Sequence, residues 1–208
     1  MTAALDLLEQ YKEINAPSFI SYPVEADGKF SVKLVEAEQD AKLKSVTVTG
    51  VPENTILIHL HTFSRLDIGS PMKAVVKSGI GAFRCCDYLI LSEESGVLRF
   101  VYVELKSRTF DTDEIVGQFK GASCFMAYCD AIVDHFQNML SVRKTTIAHM
   151  SYVLLHWRNM NKRGTARRDG LKRNKYRESL LPEEHIRISA LDMNGVVQYS
   201  LFSTSERQ

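Results

Sequence analysis

Three charged residues stand where an apolar chain makes charge expensive. The stretch CCDYLILSEESGVLRFVYVELKSR, residues 85–108, reads as two apolar strands joined by a polar turn, yet it carries Asp87, Glu104 and Lys106. Such charges cost free energy unless a partner or a ligand uses them. Residues two apart in a strand share a face, so Glu104 and Lys106 project together while Val103 and Leu105 face the other way. A four-residue turn, Glu93 to Gly96, sets Ser92 opposite Val97 and Asp87 opposite Tyr102. Glu104 is then the diagonal neighbour of Asp87 on the same face, at roughly 7–8 Å between Cα atoms. A slip of one residue would turn Asp87 to the wrong face.

Two carboxylates at that separation, with an ammonium beside them, suit a hard cation that takes oxygen ligands and keeps several waters, Mg²⁺ or Mn²⁺. Such an ion acidifies a water and neutralises charge on a phosphodiester, while the lysine orients the water or meets the developing negative charge. The chemistry is hydrolysis of a nucleic-acid backbone. The plain alternative is an edge-strand salt bridge of Lys106 with Asp87 or Glu104 on a solvated face, against which Phe100 and Tyr102 on the same face argue.

Asp87 opening one strand and Glu104-Leu105-Lys106 on the next resemble the signature of the PD-(D/E)xK nuclease superfamily. The small-residue and basic lead-in KSGIGAFRCCDYLIL is similar to that of its Holliday-junction-resolvase-like members. The resemblance spans about residues 65–157 and implies a restriction-endonuclease-like core, a mixed central sheet flanked by helices. It implies Asp87 and Glu104 as metal ligands, Lys106 as catalytic partner, and Gln118 as a polar residue facing the site from the following helix. Cys86 replaces the proline of the family name. The acid that members contribute from an early helix has two candidates here, Glu9 and Glu13. No Gln-x-x-x-Tyr follows the Glu-x-Lys, which disfavours the exonuclease branch and leaves an endonuclease as the expectation.

These residues need elements to hold them. Leu5, Leu8, Tyr11 and Ile14 recur with helical spacing before Pro17. YPVEADGKFSVKLVE reads as a hairpin on Asp27-Gly28, and SVTVTG and TILIHLHTF as two further strands. DTDEIVGQFKGASCFMAYCDAIVDHFQ predicts a long helix capped by Asp111 or Thr112, with Ile115, Phe119, Ala122, Met126, Cys129, Val133 and Phe136 as its apolar stripe. HMSYVLLHW reads as a buried strand, and RISALDMNGVVQYSLF as a C-terminal hairpin on Asn194-Gly195, residues 186–202. The sum is one α/β domain over 1–208 with a mixed sheet and accessory β-hairpins.

Composition agrees. The chain has 208 residues, 45% of them hydrophobic, enough for one well-packed domain. No stretch approaches the roughly 20 apolar residues that span a bilayer, and no basic region precedes an apolar leader, so a cytoplasmic protein without a membrane partner is expected. Cys85, Cys86, Cys124 and Cys129 lie in apolar runs, which predicts reduced, buried thiols. The net charge of +1 conceals a basic segment, 158–177, whose Arg158, Lys162, Arg163, Arg167, Arg168, Lys172, Arg173, Lys175 and Arg177 face a single acid, Asp169. Such a cluster binds nucleic-acid phosphates through counterion release, or else is a solvated loop. Tyr176 and Trp157 at its edges can stack on bases, although Trp157 reads better as core. His59 and His61 share a strand face at a zinc-compatible spacing, but with no third ligand they read as ordinary histidines.

The expectation is a Mg²⁺- or Mn²⁺-dependent nuclease acting on nucleic acid, DNA before RNA. A domain of this size gains selectivity as a homodimer or through a partner protein such as an ATPase. Family association extends this to DNA processing or defence against foreign DNA. The competing expectation is a non-catalytic module that keeps the fold and holds nucleic acid or protein through 158–177.

Overall fold

The computed structural model describes residues 2–15, 17–36, 40–60, 84–107, 110–157, 181–182, 185–190 and 194–202. Helix α1 (Ala3–Ile14) begins at Thr2, whose Oγ1 accepts the Leu5 N–H, and buries Leu7, Leu8 and Tyr11. Strands β1 (Ile20–Ser21), β2 (Val24–Ala26), β3 (Lys29–Val35), β4 (Ser45–Val51) and β5 (Thr55–His59) follow. Asp27 and Gly28 join β2 to β3 with φ of 52° and 71°, both positive as a type I′ turn requires. Next come β6 (Tyr88–Glu94), β7 (Val97–Lys106), the long helix α2 (Thr112–Phe136), α3 (Leu140–Thr145), β8 (Ile147–Trp157), β9 (Ile186–Ala190) and β10 (Asn194–Gln198).

These strands form two sheets. The larger has the order β1-β5-β6-β7-β8-β9; its β7, β8 and β9 run parallel and the remaining pairs antiparallel. The smaller has the order β10-β4-β3-β2, with β10 parallel to β4. A parallel β7–β8 pair needs a long crossover, which α2 and α3 supply. On one face of the large sheet Leu89, Leu91, Phe100, Tyr102 and Leu154 pack against Leu7, Tyr11, Phe119 and Met126 of the helices. On the other, Ile90, Val101, Val103, Leu105 and Val153 meet Leu34, Val46, Val48 and Val197 of the small sheet. The central strands are buried on both faces, so they read as nearly continuous apolar runs rather than as alternation. The fold is α/β with mixed sheets, as the element order predicts.

Several local expectations are corrected. The β6–β7 turn has two residues, not four: Glu94 pairs with Val97 across Ser95 and Gly96, whose φ values are 54° and 83°. Ser92 therefore faces Arg99 rather than Val97. Glu93, which reads as loop, is a buried strand residue whose carboxylate accepts from Thr2 Oγ1, Asn54 Nδ2 and the Gly96 N–H. The C-terminal hairpin is not formed either. β9 extends the large sheet and β10 the small one, with Asn194 and Gly195 as paired residues of β10; Asn194 Oδ1 accepts from Ser45 Oγ at 2.8 Å. Phe136, the last residue of α2, is 79% exposed, and Cys124 falls off the helix's apolar stripe and is exposed, while Cys85, Cys86 and Cys129 are buried. All four thiols are free. Among the described residues no helix is long and apolar enough to cross a membrane.

The tight turn makes a test of the register. A Cβ on Gly96 would meet nothing within 4 Å, so Gly96→Ala costs only left-handed backbone strain. Urea unfolding is expected to show a loss of about 1–2 kcal/mol with unchanged slope. A neutral substitution would contradict the type I′ turn.

Candidate functional site

The register error is one of two residues, and two is the period of the pleat. Extending the observed pairing of Tyr88 with Val103 brings Asp87 directly opposite Glu104 instead of diagonal to it. The face survives and the two acids draw closer. Asp87, Glu104 and Lys106 all lie on the helix-covered face, at the end of the hairpin remote from its turn.

Hydrogen bonds lock the acids in place. The Asp87 N–H donates to Glu104 Oε2 at 3.1 Å, the Leu105 N–H donates to Asp87 Oδ2 at 2.8 Å, and Lys106 Nζ sits 2.7 Å from Glu104 Oε1. The Leu60 N–H donates to the Asp87 carbonyl at 2.9 Å and continues the β5–β6 ladder to this point. Glu104 is only 1% exposed, whereas Lys106 keeps 24% of its side chain in reach of solvent.

Electrostatics follow from that burial. Desolvation, then the facing Asp87 carboxylate, holds the Glu104 proton affinity well above the ordinary carboxylate range, although Lys106 opposes both. Burial would pull Lys106 down, yet Glu104, Asp87 and the Glu114 carboxylate together lift it above its ordinary value. Cys85 and Cys86, next to the acids in sequence, are not thiolates. Burial pushes the Cys85 thiol up to about 12, and burial with the nearby Glu104 charge raises Cys86 as well.

Helix α2 covers the site from its N-terminal half. Its N-cap, Asp111, accepts the Asp113 N–H, and one turn in from Glu114 stands Gln118, whose buried Oε1 meets no hydrogen-bond partner among the described residues. Leaving such a buried acceptor unpaired costs about 1–3 kcal/mol. Helix α1 does not supply the extra acid by any contact. Glu9 is paired with Lys12 at 2.6 Å and Glu13 is exposed.

No family model, curated protein or solved structure matches this chain. The site therefore has to be judged by its own chemistry.

Its donor set suits a divalent cation. Two carboxylates meet across adjacent strands, one of them buried and reluctant to ionise, which is the state a bound cation relieves. Among the described residues no three His, Cys, Asp or Glu side chains gather as a metal-holding group, and Asp87 and Glu104 are the two carboxylates that meet here. That is the ligand count at which Mg²⁺ keeps waters and takes substrate phosphates.

Sequence reasoning missed the right-hand side of the site. His156 is the register partner of Lys106 on β8, and Arg187 of β9 stands level with Leu154 and Glu104. The parallel register, invisible without the crossover, sets them there. His59 is bonded to Ser21 through its Nε2 at 2.6 Å and lies on the opposite face with Tyr88, while His61 lies outside the described residues. Trp157 packs against the second core with Lys42 over its ring. The nine basic residues of 158–177, from Arg158 and Lys162 to Lys175 and Arg177, also lie outside the described residues.

Proposed function

We propose that the chain is a Mg²⁺- or Mn²⁺-dependent nuclease, cutting phosphodiester bonds of nucleic acid, DNA foremost and internally, with a PD-(D/E)xK-type centre. One observation carries the reading: Asp87, Glu104 and Lys106 converge on one sheet face while burial and mutual repulsion leave Glu104 reluctant to ionise. Bound between Asp87 and Glu104, the cation would acidify a water and neutralise phosphodiester charge. Asp87 and Glu104 would hold it, their backbone partners fixing both carboxylates before any ligand arrives. The Lys106 ammonium, lifted in proton affinity, stays charged across the physiological range and donates to the attacking water or to a non-bridging phosphate oxygen. Gln118 offers its orphan oxygen as acceptor for a water proton. Selectivity through a second copy, an ATPase partner or a role against foreign DNA belongs to the same proposal.

A second reading has an observation of its own. Both Glu104 oxygens are engaged internally, by Lys106 and by the Asp87 N–H, as in a structural ion pair of a non-catalytic binding module. Plasmid and short duplex substrates decide between them. Cleavage is expected with Mg²⁺ or Mn²⁺, halted by EDTA, and absent in Asp87→Ala that still binds the substrate. Binding with no metal-dependent cleavage of DNA or RNA would leave only the second reading.

A further inference from the structure

Beside the acids, three residues the nuclease mechanism has not used form a group on the same face. His156 sits one strand over from Lys106, Arg187 sits two strands over from Glu104, and Phe110 lies between them. Its ring centroid is 5.7 Å from that of His156 and 5.9 Å from the Arg187 guanidinium carbon. With neighbouring strands about 4.8 Å apart, the row spans roughly 10 Å from Glu104.

Arg187 is built rather than merely present. Its Nε–H donates to His185 Nε2 at 3.1 Å and its Nη2 donates to Thr112 Oγ1 at 3.3 Å. His185 accepts there because it is neutral: burial lowers its proton affinity, and its Nδ1–H donates to the Pro182 carbonyl at 3.0 Å. Both partners are uncharged, so the guanidinium is oriented without being neutralised. Two of its five N–H donors are engaged and three remain, and among the described residues no carboxylate pairs with it. Arg187 is exposed, so those donors meet solvent. An oriented, exposed guanidinium beside an aromatic ring, with no carboxylate partner among the described residues, fits an oxyanion such as phosphate.

We infer that Arg187, with His156, is the phosphate-contacting wall of the site, engaging the backbone phosphate next to the one held at Asp87 and Glu104. This rests on the nuclease reading and deepens it: the substrate is a polynucleotide with consecutive phosphates rather than a single phosphodiester. Lys106 and Arg187 give the strand two cationic contacts, on β7 and β9, with the His156 imidazole on β8 between them and Phe110 as an apolar surface beside it.

Binding of a fluorescein-labelled short DNA, read by anisotropy in EDTA over a salt series, tests the wall without turnover. Arg187→Gln, whose amide nitrogen takes the place of Nε and can still donate to His185 but not reach Thr112, is expected to weaken binding roughly tenfold, as loss of one charged hydrogen bond does. It should also lower the slope of log K against log salt by about one. Arg187→Lys should restore the slope although it cannot reproduce both protein hydrogen bonds, and His156→Gln should weaken binding in the same direction. In Mg²⁺, Arg187→Gln should raise KM more than it lowers kcat. An unchanged slope in Arg187→Gln, or Arg187→Lys as defective as Arg187→Gln, would mean that Arg187 only anchors the start of α2, and overturns the inference while a cleaving wild type keeps the nuclease. A wild type that neither binds nor cuts overturns both.

Discussion

Glu104→Gln is expected to abolish metal-dependent cleavage, by about 10³-fold or more, because in the proposed centre it would remove a cation ligand and half of the negative field that would fix the ion. The fold should survive. The amide keeps the shape of the side chain, and Lys106, partly exposed, can turn its ammonium to water. Burial and Asp87 hold the Glu104 proton affinity above its value in the unfolded chain, so the folded state retains a proton that the unfolded state releases. Wild-type stability contributed by this group is thus present below about pH 4.3, the unfolded glutamate value, and is lost as pH rises through the folded value. The glutamine variant has no such titration. Its stability relative to wild type should climb through that window and level off above it, and at neutral pH the variant should match or exceed wild type. Urea titrations at several pH values, run beside plasmid cleavage, give both readouts. Undiminished cleavage would remove Glu104 from the chemistry. Equal loss of activity and of folded protein would reduce it to a packing residue.

How far such a site can be seen in a bare sequence depends on which forces set its geometry. The pleat is a local property, and its period of two is why Glu104 and Lys106 could be paired on one face from the string alone. The hairpin register was not legible, because Glu93 and Glu94 look like loop residues. Nothing local announces that Thr2, Asn54 and the Gly96 N–H satisfy a buried Glu93 carboxylate. The resulting error of two residues conserves the face, so the three charges still share it under the observed register. Asn194-Gly195 failed in the other direction. An Asn-Gly pair is a strong turn signal only when the flanking runs pair with each other, and here each run finds a partner in a different sheet. His156 and Arg187 were beyond reach for the same reason, since their neighbours are decided by parallel pairing across a crossover of some forty residues. Helix α2 was the easiest element, carrying both its cap and its stripe in its own sequence.

Lys106→Met separates a catalytic lysine from a structural one. Methionine refills most of the aliphatic volume but removes the charge 2.7 Å from Glu104, leaving a carboxylate that is 1% exposed facing Asp87 alone. Removing one partner of a buried pair costs about 3–5 kcal/mol when the survivor stays charged. Protonation offers Glu104 an escape, and its proton affinity should rise further once the ammonium is gone. The stability loss should therefore be small near pH 5 and grow toward pH 8, in urea titrations of the metal-free protein. A cation supplies the missing charge. Mg²⁺ or Mn²⁺ no longer competes with an ammonium for the Glu104 oxygen, so the variant should bind metal more tightly than wild type and gain more thermal stability from it. Cleavage should nevertheless fall by about 10²-fold or more, because the donor to the attacking water or the phosphate is absent. Tighter metal with lost turnover is a pattern that a salt bridge of purely structural purpose has no means to produce. If Lys106→Met binds metal no better and cuts as wild type does, the ammonium neither competes with the cation nor takes part in turnover, and Lys106 is a structural partner of Glu104 alone.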